Sequence, residues 1–493
     1  MAQAAPSLHL SKSRFVAGVQ CHKLLWWRVH EPEAVELQPD KVLQDRFDQG
    51  RQVGELAQER FAGGVAIDTH ATLEERAQRT QAALGGAAPA IFEASFLAGR
   101  TFVAVDVLER VKDGFRLVEV KSSSSQKDEH IPDAAVQAHV LAGSGIDVRA
   151  VEIMHLNREF RHPGPGELFA RTDVTPQVHA ALPGVPAEVT AQLEVLKGPL
   201  PDVPIGLHCF EPRACPFRER CWPQARDHII KLYNVGPKKA ADYMTTGVHT
   251  IGAIPPTQRL PDAAKRQIRS MKEGRLIVEP RLAAALAPFT GRLGFLDFET
   301  ISRAVPVWPG MAPWEQAAAQ FSYHEAQPGG GYRHVAYLAE GPDDTRPELA
   351  RAMIEATAGA ERVVMYTSFE KTRIRSLQKS VPHLATELKQ LEDKLIDLHP
   401  VIRDHIYHPD FEGSFSLKYV LHPLVPDLTY DDLVIVDGLV ASVEIARLLF
   451  VAQKIPPAER DRVRKDLLDY CERDTWAMVK LVERLRELAV LTR

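Results

Sequence analysis

The chain has 493 residues, too many for one ordinary domain at roughly 100–200 residues each. Its 45% hydrophobic and 25% charged residues are globular averages, which excludes a disordered, collagen-like or coiled-coil chain. Sixty Lys+Arg against 65 Asp+Glu give a net charge of −5, so any nucleic-acid contact must come from local basic patches rather than a whole-molecule field.

In chain order, residues 9–30 carry Lys12, Arg14, Lys23 and Arg28 with no acidic residue, beside Trp26 and Trp27. A basic stretch with adjacent aromatics suits single-stranded nucleic acid. Residues 41–62 read as helix. Strands are predicted over 91–97, 101–111 and 115–121, with Gly99 and Asp113-Gly114 supplying the turns. A helix over 134–141 and a strand over 151–156 follow, and Pro/Gly-rich segments at 163–167 and 197–206 frame a further helix. Residues 233–254 carry two short helical pieces around glycine turns, and 255–290 read as a basic helical connector. From 293 a second α/β pattern begins, with a strand, a hairpin around 328–331, a helix near 346–358, a strand over 362–366 and a long final helix over about 460–490. The expected organisation is an α/β multidomain chain divided at 1–228, 229–290 and 291–493. No stretch approaches the roughly 18 uncharged apolar residues of a membrane span, and the N-terminus lacks a signal-peptide core, so a soluble, cytoplasmic protein with no membrane partner is expected.

Strand periodicity puts Leu117, Glu119 and Lys121 on one face, and Phe102, Ala104 and Asp106 on one face of the neighbouring strand. If the hairpin brings these faces together, Asp106, Glu119 and Lys121 converge, with Glu93 one strand further out. Carboxylates among apolar strands are costly unless they bind something. Mg²⁺ or Mn²⁺ held by such a pair, with a lysine to orient water and steady the developing phosphorane charge, is phosphodiester chemistry.

Five cysteines do not suit a disulfide scaffold. Cys21 stands alone, whereas Cys209, Cys215 and Cys221 cluster with five residues between neighbours, wider than zinc-ribbon spacing. One remote and three grouped thiols make the four-thiolate set of a cubane 4Fe–4S cluster. Over residues 10–225 the chain resembles the iron–sulfur RecB-like, or PD-(D/E)xK, nucleases. That resemblance implies a restriction-endonuclease-like fold with the cluster stapling its two ends. It carries over Asp106 and Glu119 as metal ligands, and Lys121 and Gln137 as catalytic residues; Glu93, one strand further out, is added to the catalytic set from its place in the sheet. Where relatives place a metal-binding histidine this chain has Gly54, and in place of the usual tyrosine after the glutamine it has Leu141.

The N-V-G-P-K-K…T-G-V-H-T-I run resembles a helix–hairpin–helix element, with Lys238 and Lys239 placed for DNA phosphate. In L-G-F-L-D-F-E-T, Asp297 and Glu299 share one strand face. Glu370 lies just past a later strand, and Tyr470 and Asp474 are one helical turn apart. Four carboxylates from three dispersed elements suit two metal ions about 3.5–4 Å apart, with Tyr470 orienting water. The order of these motifs over 293–493, together with the S-x-S-L-K-Y run at 414–419, resembles the tyrosine subtype of the RNase H-like DEDD 3′→5′ exonucleases. That family has Asp where Glu370 stands, so Asp397 is an alternative ligand. Cys471 inside the last motif reads as a packing residue. Together the resemblances imply a metal-dependent nuclease acting on DNA, single-stranded or end-containing, in repair or recombination. RNA is the alternative substrate, and a nucleic-acid-binding scaffold with inactive sites is the competing class. The chain contains no P-loop motif, so unwinding is expected from a helicase partner.

Overall fold

The computed structural model describes residues 9–491. The chain is α/β throughout and divides into two compact units, Met1–Trp222 with Arg303–Trp314, and Pro223–Ser302 with Glu315–Arg493. The segment expected as a separate connector, 229–290, falls inside the second unit.

The first unit opens on helices α1 (Lys12–Gln20), α2 (His22–His30) and α3 (Lys41–Gln58). Ser11 caps α1 by accepting the Arg14 N–H, and this fixes Lys12 at its first turn. Strands β1 (Ala90–Ala98), β2 (Thr101–Val111), β3 (Gly114–Lys121), β4 (Val148–Leu156) and β5 (Phe169–Asp173) lie side by side in that order. The first three are antiparallel hairpins. β4 runs parallel to β3 because helix α4 (His130–Gly143) crosses between them. Val103, Val105 and Val107 of β2 are fully buried, and Phe15 of α1 packs in the same core as Val103, Leu117 and Ala134. That packing holds the start of α1 near the polar face of the hairpin. Residues 303–314 join this unit: Ala304 packs with Val53 of α3, and the Ala304 N–H donates to Gln49 at 2.6 Å.

The second unit begins with helices α5 (Gly236–Thr245) and α6 (Asp262–Glu273). The predicted second helical piece of 233–254 is a single 3-10 turn, Ile251–Ala253. Residues 255–290 are only partly helical: α6 stops at Gly274 in the left-handed conformation, and Ile277–Val278 pair as a short strand with Ile406–Tyr407. Strands β6 (Leu293–Ser302), β7 (Gln316–Ala326), β8 (Tyr332–Leu338), β9 (Arg362–Met365) and β10 (Leu395–Asp397) form a mixed sheet in the order β8-β7-β6-β9-β10. β6 to β8 are antiparallel, and β9 and β10 run parallel to β6. Helices α7 (Arg346–Thr357), α8 (Phe369–Ser380), α9 (Leu417–Leu424), α10 (Gly438–Phe450) and α11 (Pro457–Leu491) surround the sheet. The middle of α11 lies on the central strands, where Gln320 of β7 donates to the Leu467 carbonyl at 2.7 Å. Among the described residues no helix is long and apolar enough to cross a membrane.

Candidate functional site

In the first unit the hairpin brings Asp106 and Glu119 together where β2 and β3 part: the last ladder pair before them is Val107–Val118. Asp106 accepts the Val120 N–H at 2.8 Å. Lys121 Nζ lies 2.7 Å from Glu119 Oε1, and the buried Gln137 of α4 donates to Glu119 Oε2 at 2.7 Å. Glu93 sits between the Phe92–Val107 and Ala94–Val105 pairs with φ 56, a left-handed conformation uncommon for a side-chain-bearing residue. Two members are additional to the sequence reading. Asp133, one turn before Gln137, is salt-bridged to Lys121. Lys12 reaches in from α1 to 2.8 Å from Glu119, 3.7 Å from Asp106 and 3.8 Å from Asp133.

Burial and the Glu119 charge push Asp106 up to about 7, whereas Glu119 is held well below the carboxylate range. Burial alone would raise Glu119; the ammonium groups of Lys12 and Lys121 reverse it. Lys12 therefore belongs to the acidic site, not to an exposed basic strip. The neighbouring tryptophans are packing residues as well: Trp27 is buried against Phe217 at 4.7 Å between ring centres, and Trp26 donates to the Gly198 carbonyl. Gly54 leaves open space in α3, and Leu141 is core.

The four clustered-plus-remote cysteines, Cys21, Cys209, Cys215 and Cys221, line one cavity with Trp27 and His208. Gln20 holds the ends together by donating to the carbonyls of His208 and Arg213 at 2.8 and 2.7 Å. Burial, with the neighbouring cysteines adding to it, pushes the Cys215 thiol up to about 11. Among the described residues no three of these sulfurs lie mutually within 4.8 Å. A tetrahedral zinc–thiolate centre needs sulfurs about 3.8 Å apart.

In the second unit β6 presents Asp297 and Glu299 on one face, and α11 brings Asp474 to them. One oxygen from each lies within 4.8 Å of the others. Glu370, at the start of α8, shares a hydrogen bond with Asp297, and its Oε2 is buried with no partner. Two carboxyls in contact require a shared proton or a cation. Asp397, the alternative ligand, accepts the backbone N–H groups of Thr367 and His399 on its Oδ1 at 3.1 and 2.9 Å, and its charge acts on Glu370. Burial and the surrounding acids push Asp297, Glu299 and Glu370 well above the usual carboxylate range, and burial pushes Asp474 up to about 6.

Tyr470 is buried beside Asp474 and hydrogen-bonded to it. Tyr430 also donates to Asp474, and Lys418 stands over both rings at 5.7 and 5.1 Å. Tyr430 carries no sequence signal, whereas Lys418 lies inside the 414–419 run. Cys471 is buried with its sulfur 3.6 Å from Asp297 Oδ2, so it packs directly under the acids. Lys238 and Lys239 are exposed in the first turn of α5, far in sequence from these groups, after Gly236 at φ 66.

A family model described as a domain of unknown function (DUF2779) matches residues 294–416, a segment holding Asp297, Glu299, Glu370 and Asp397 but not Tyr470 or Asp474. No curated protein matches the chain. Among solved structures, the family B DNA polymerase from the hyperthermophilic archaeon Pyrobaculum calidifontis is similar, at 16% identity with a TM-score of 0.26, covering 39% of this chain. The chain spans 24% of that polymerase.

Proposed function

We propose that the chain is a metal-dependent nuclease that hydrolyses phosphodiester bonds, with an RNase H-like DEDD-type exonuclease site in the second unit and a RecB-like site in the first. The observation that carries the proposal is the buried convergence of Asp297, Glu299 and Asp474, with the orphaned Glu370 oxygen beside them. Acids so placed are stable only when protonated or when neutralised by cations, and an all-carboxylate oxygen set suits Mg²⁺ or Mn²⁺. Such a cation supplies charge neutralisation for the phosphate and acidifies the attacking water.

The residues of the chain do the rest. Tyr470 is held as a neutral phenol by burial and the acids around it; with its proton given to Asp474, its oxygen is the acceptor that would orient water. Lys418 adds positive charge at the rim, where a scissile phosphate needs it. In the first unit Asp106 and Glu119 are the metal-binding pair, Lys121 is the charge-stabilising lysine, and Gln137 fixes the Glu119 carboxylate. Lys238 and Lys239 at the α5 N-terminus are proposed to hold DNA phosphate. Four thiols lining one cavity are the donor set that a structural 4Fe–4S cluster would use.

The test is incubation of the purified full-length chain with end-labelled single-stranded DNA and Mn²⁺, with single-stranded RNA in parallel. Stepwise shortening that Asp297→Ala removes supports the second-unit site, and loss in Lys121→Ala assigns activity to the first. Intact substrate with binding retained would leave the scaffold reading instead.

A further inference from the structure

We propose that His324, His334 and Glu472 form a second kind of metal site in the second unit, for a transition metal of the zinc class. The two histidines are direct cross-strand partners on β7 and β8, and their rings stack at 4.5 Å. Glu472 projects from α11 onto the same patch. One ligand atom from each residue lies within 4.8 Å of the others.

The hydrogen bonds around them fix which ring nitrogens are available. The Thr475 hydroxyl donates to the Glu472 carbonyl at 3.0 Å, so toward its other neighbours it can only accept. It lies 2.8 Å from His324 Nδ1, which must therefore carry the proton, leaving the His324 Nε2 lone pair free. Thr475 also lies 2.8 Å from Ser322 Oγ, so Ser322 spends its proton there. Ser322 then accepts from His334 Nε2 at 2.9 Å, which leaves the His334 Nδ1 lone pair free, 3.8 Å from the Glu472 carboxylate. Hydroxyls behind both imidazoles are the arrangement that orients metal-binding histidines.

Two imidazole nitrogens and one carboxylate are the donor set of an open zinc site and a poor one for Mg²⁺, which takes oxygen ligands. The three ligand atoms, now within 4.8 Å of one another, must close to the roughly 3.4 Å separations of tetrahedral zinc, and the Glu472 side chain, 48% exposed, is free to move toward the pair. The site shares no ligand with the acid cluster: His324, His334 and Glu472 group together, and Asp297, Glu299 and Asp474 group apart from them. A metal here would tie residues 472–475, the turn that carries Asp474, to the β7–β8 hairpin.

The experiment is calorimetric titration of the EDTA-stripped full-length chain with Zn²⁺ in excess Mg²⁺, comparing wild type with His334→Ala and Glu472→Gln. Both positions are partly exposed, so the fold is retained and circular dichroism checks it. The result expected is one fewer Zn²⁺ equivalent in His334→Ala and at least tenfold weaker binding of that equivalent in Glu472→Gln. Any Zn²⁺ taken up elsewhere in the chain is unchanged in both variants. Identical stoichiometry and affinity in all three proteins would overturn the site.

Discussion

Replacing Asp474 by Asn should make the metal-free protein more stable, although it removes a proposed ligand. Asp474 is buried, and its carboxyl is pushed from 3.8 up to about 6. A group whose folded pKa is raised contributes stability below its unfolded pKa, and that contribution is lost as pH rises through the folded value. For Asp474 the loss runs from about pH 4 to about pH 7 and reaches about 3 kcal/mol at 1.36 kcal/mol per pKa unit. Asparagine escapes this loss because it has no proton to give up. Its amide oxygen still accepts from Tyr430, and a weakened Tyr470 bond costs about 1 kcal/mol. The net gain at pH 7.5 in EDTA is about 1–2 kcal/mol, some 2–6 °C in the melting of a unit this size. At pH 4 the gain should vanish. Added Mn²⁺ should raise the melting temperature of the wild type and not of the variant. If Asp474→Asn melts below wild type at pH 7.5 in EDTA, or Mn²⁺ stabilises both alike, the acids are not a strained cation site.

Lys12→Met should destabilise the first unit by about 2 kcal/mol at pH 7, because it strips one of two ammonium groups from the buried Glu119. Glu119 is held below its ordinary pKa of 4.5, so its contribution is present above that value and fades as pH falls; urea melts at pH 7 and pH 3 should show the penalty shrinking. Tyr470→Phe should lower kcat at least about tenfold while leaving Mn²⁺ affinity intact, as steady-state assays across metal concentrations would show. Cys221→Ser should abolish the brown colour and the stoichiometric iron of anaerobically purified protein, and a colourless wild type containing zinc without iron would remove the cluster proposal.

Much of this arrangement is legible in the sequence where local period and function coincide. Asp297 and Glu299 sit two apart in an apolar run, so a strand period of two places them on one face, and the ladder keeps them there. Gln137 and Asp133 share a helix face, but only the first has a motif behind it. Lys12 is the instructive miss. Its local context, a basic stretch beside two tryptophans, suggests a nucleic-acid surface, yet the Ser11 cap and Phe15 packing aim it into the acids. Tyr430 stands in a loop whose position relative to α11 depends on long-range packing, which no local pattern encodes. The segment 303–314 likewise carries no mark that it leaves the sheet of its own unit.

The two acidic sites solve the same electrostatic problem in opposite ways. In the first unit Glu119, Asp106 and Asp133 are met by two lysines of the chain, which hold Glu119 ionised and leave Asp106 raised to about 7. In the second, Lys418 is the nearest cation, and it lies over the tyrosine rings, not against an acid oxygen. Asp297 and Glu370, hydrogen-bonded to each other, are both held well above the usual carboxylate range. A divalent ion entering the first site displaces Lys12 from contacts it already satisfies, whereas one entering the second displaces only protons held at raised pKa. Metal binding in the second unit should accordingly release protons and tighten steeply between pH 5 and 7.5. In the first it should be weaker, with proton release coming from Asp106 near pH 7, and Lys12→Met should strengthen it even as it destabilises the fold.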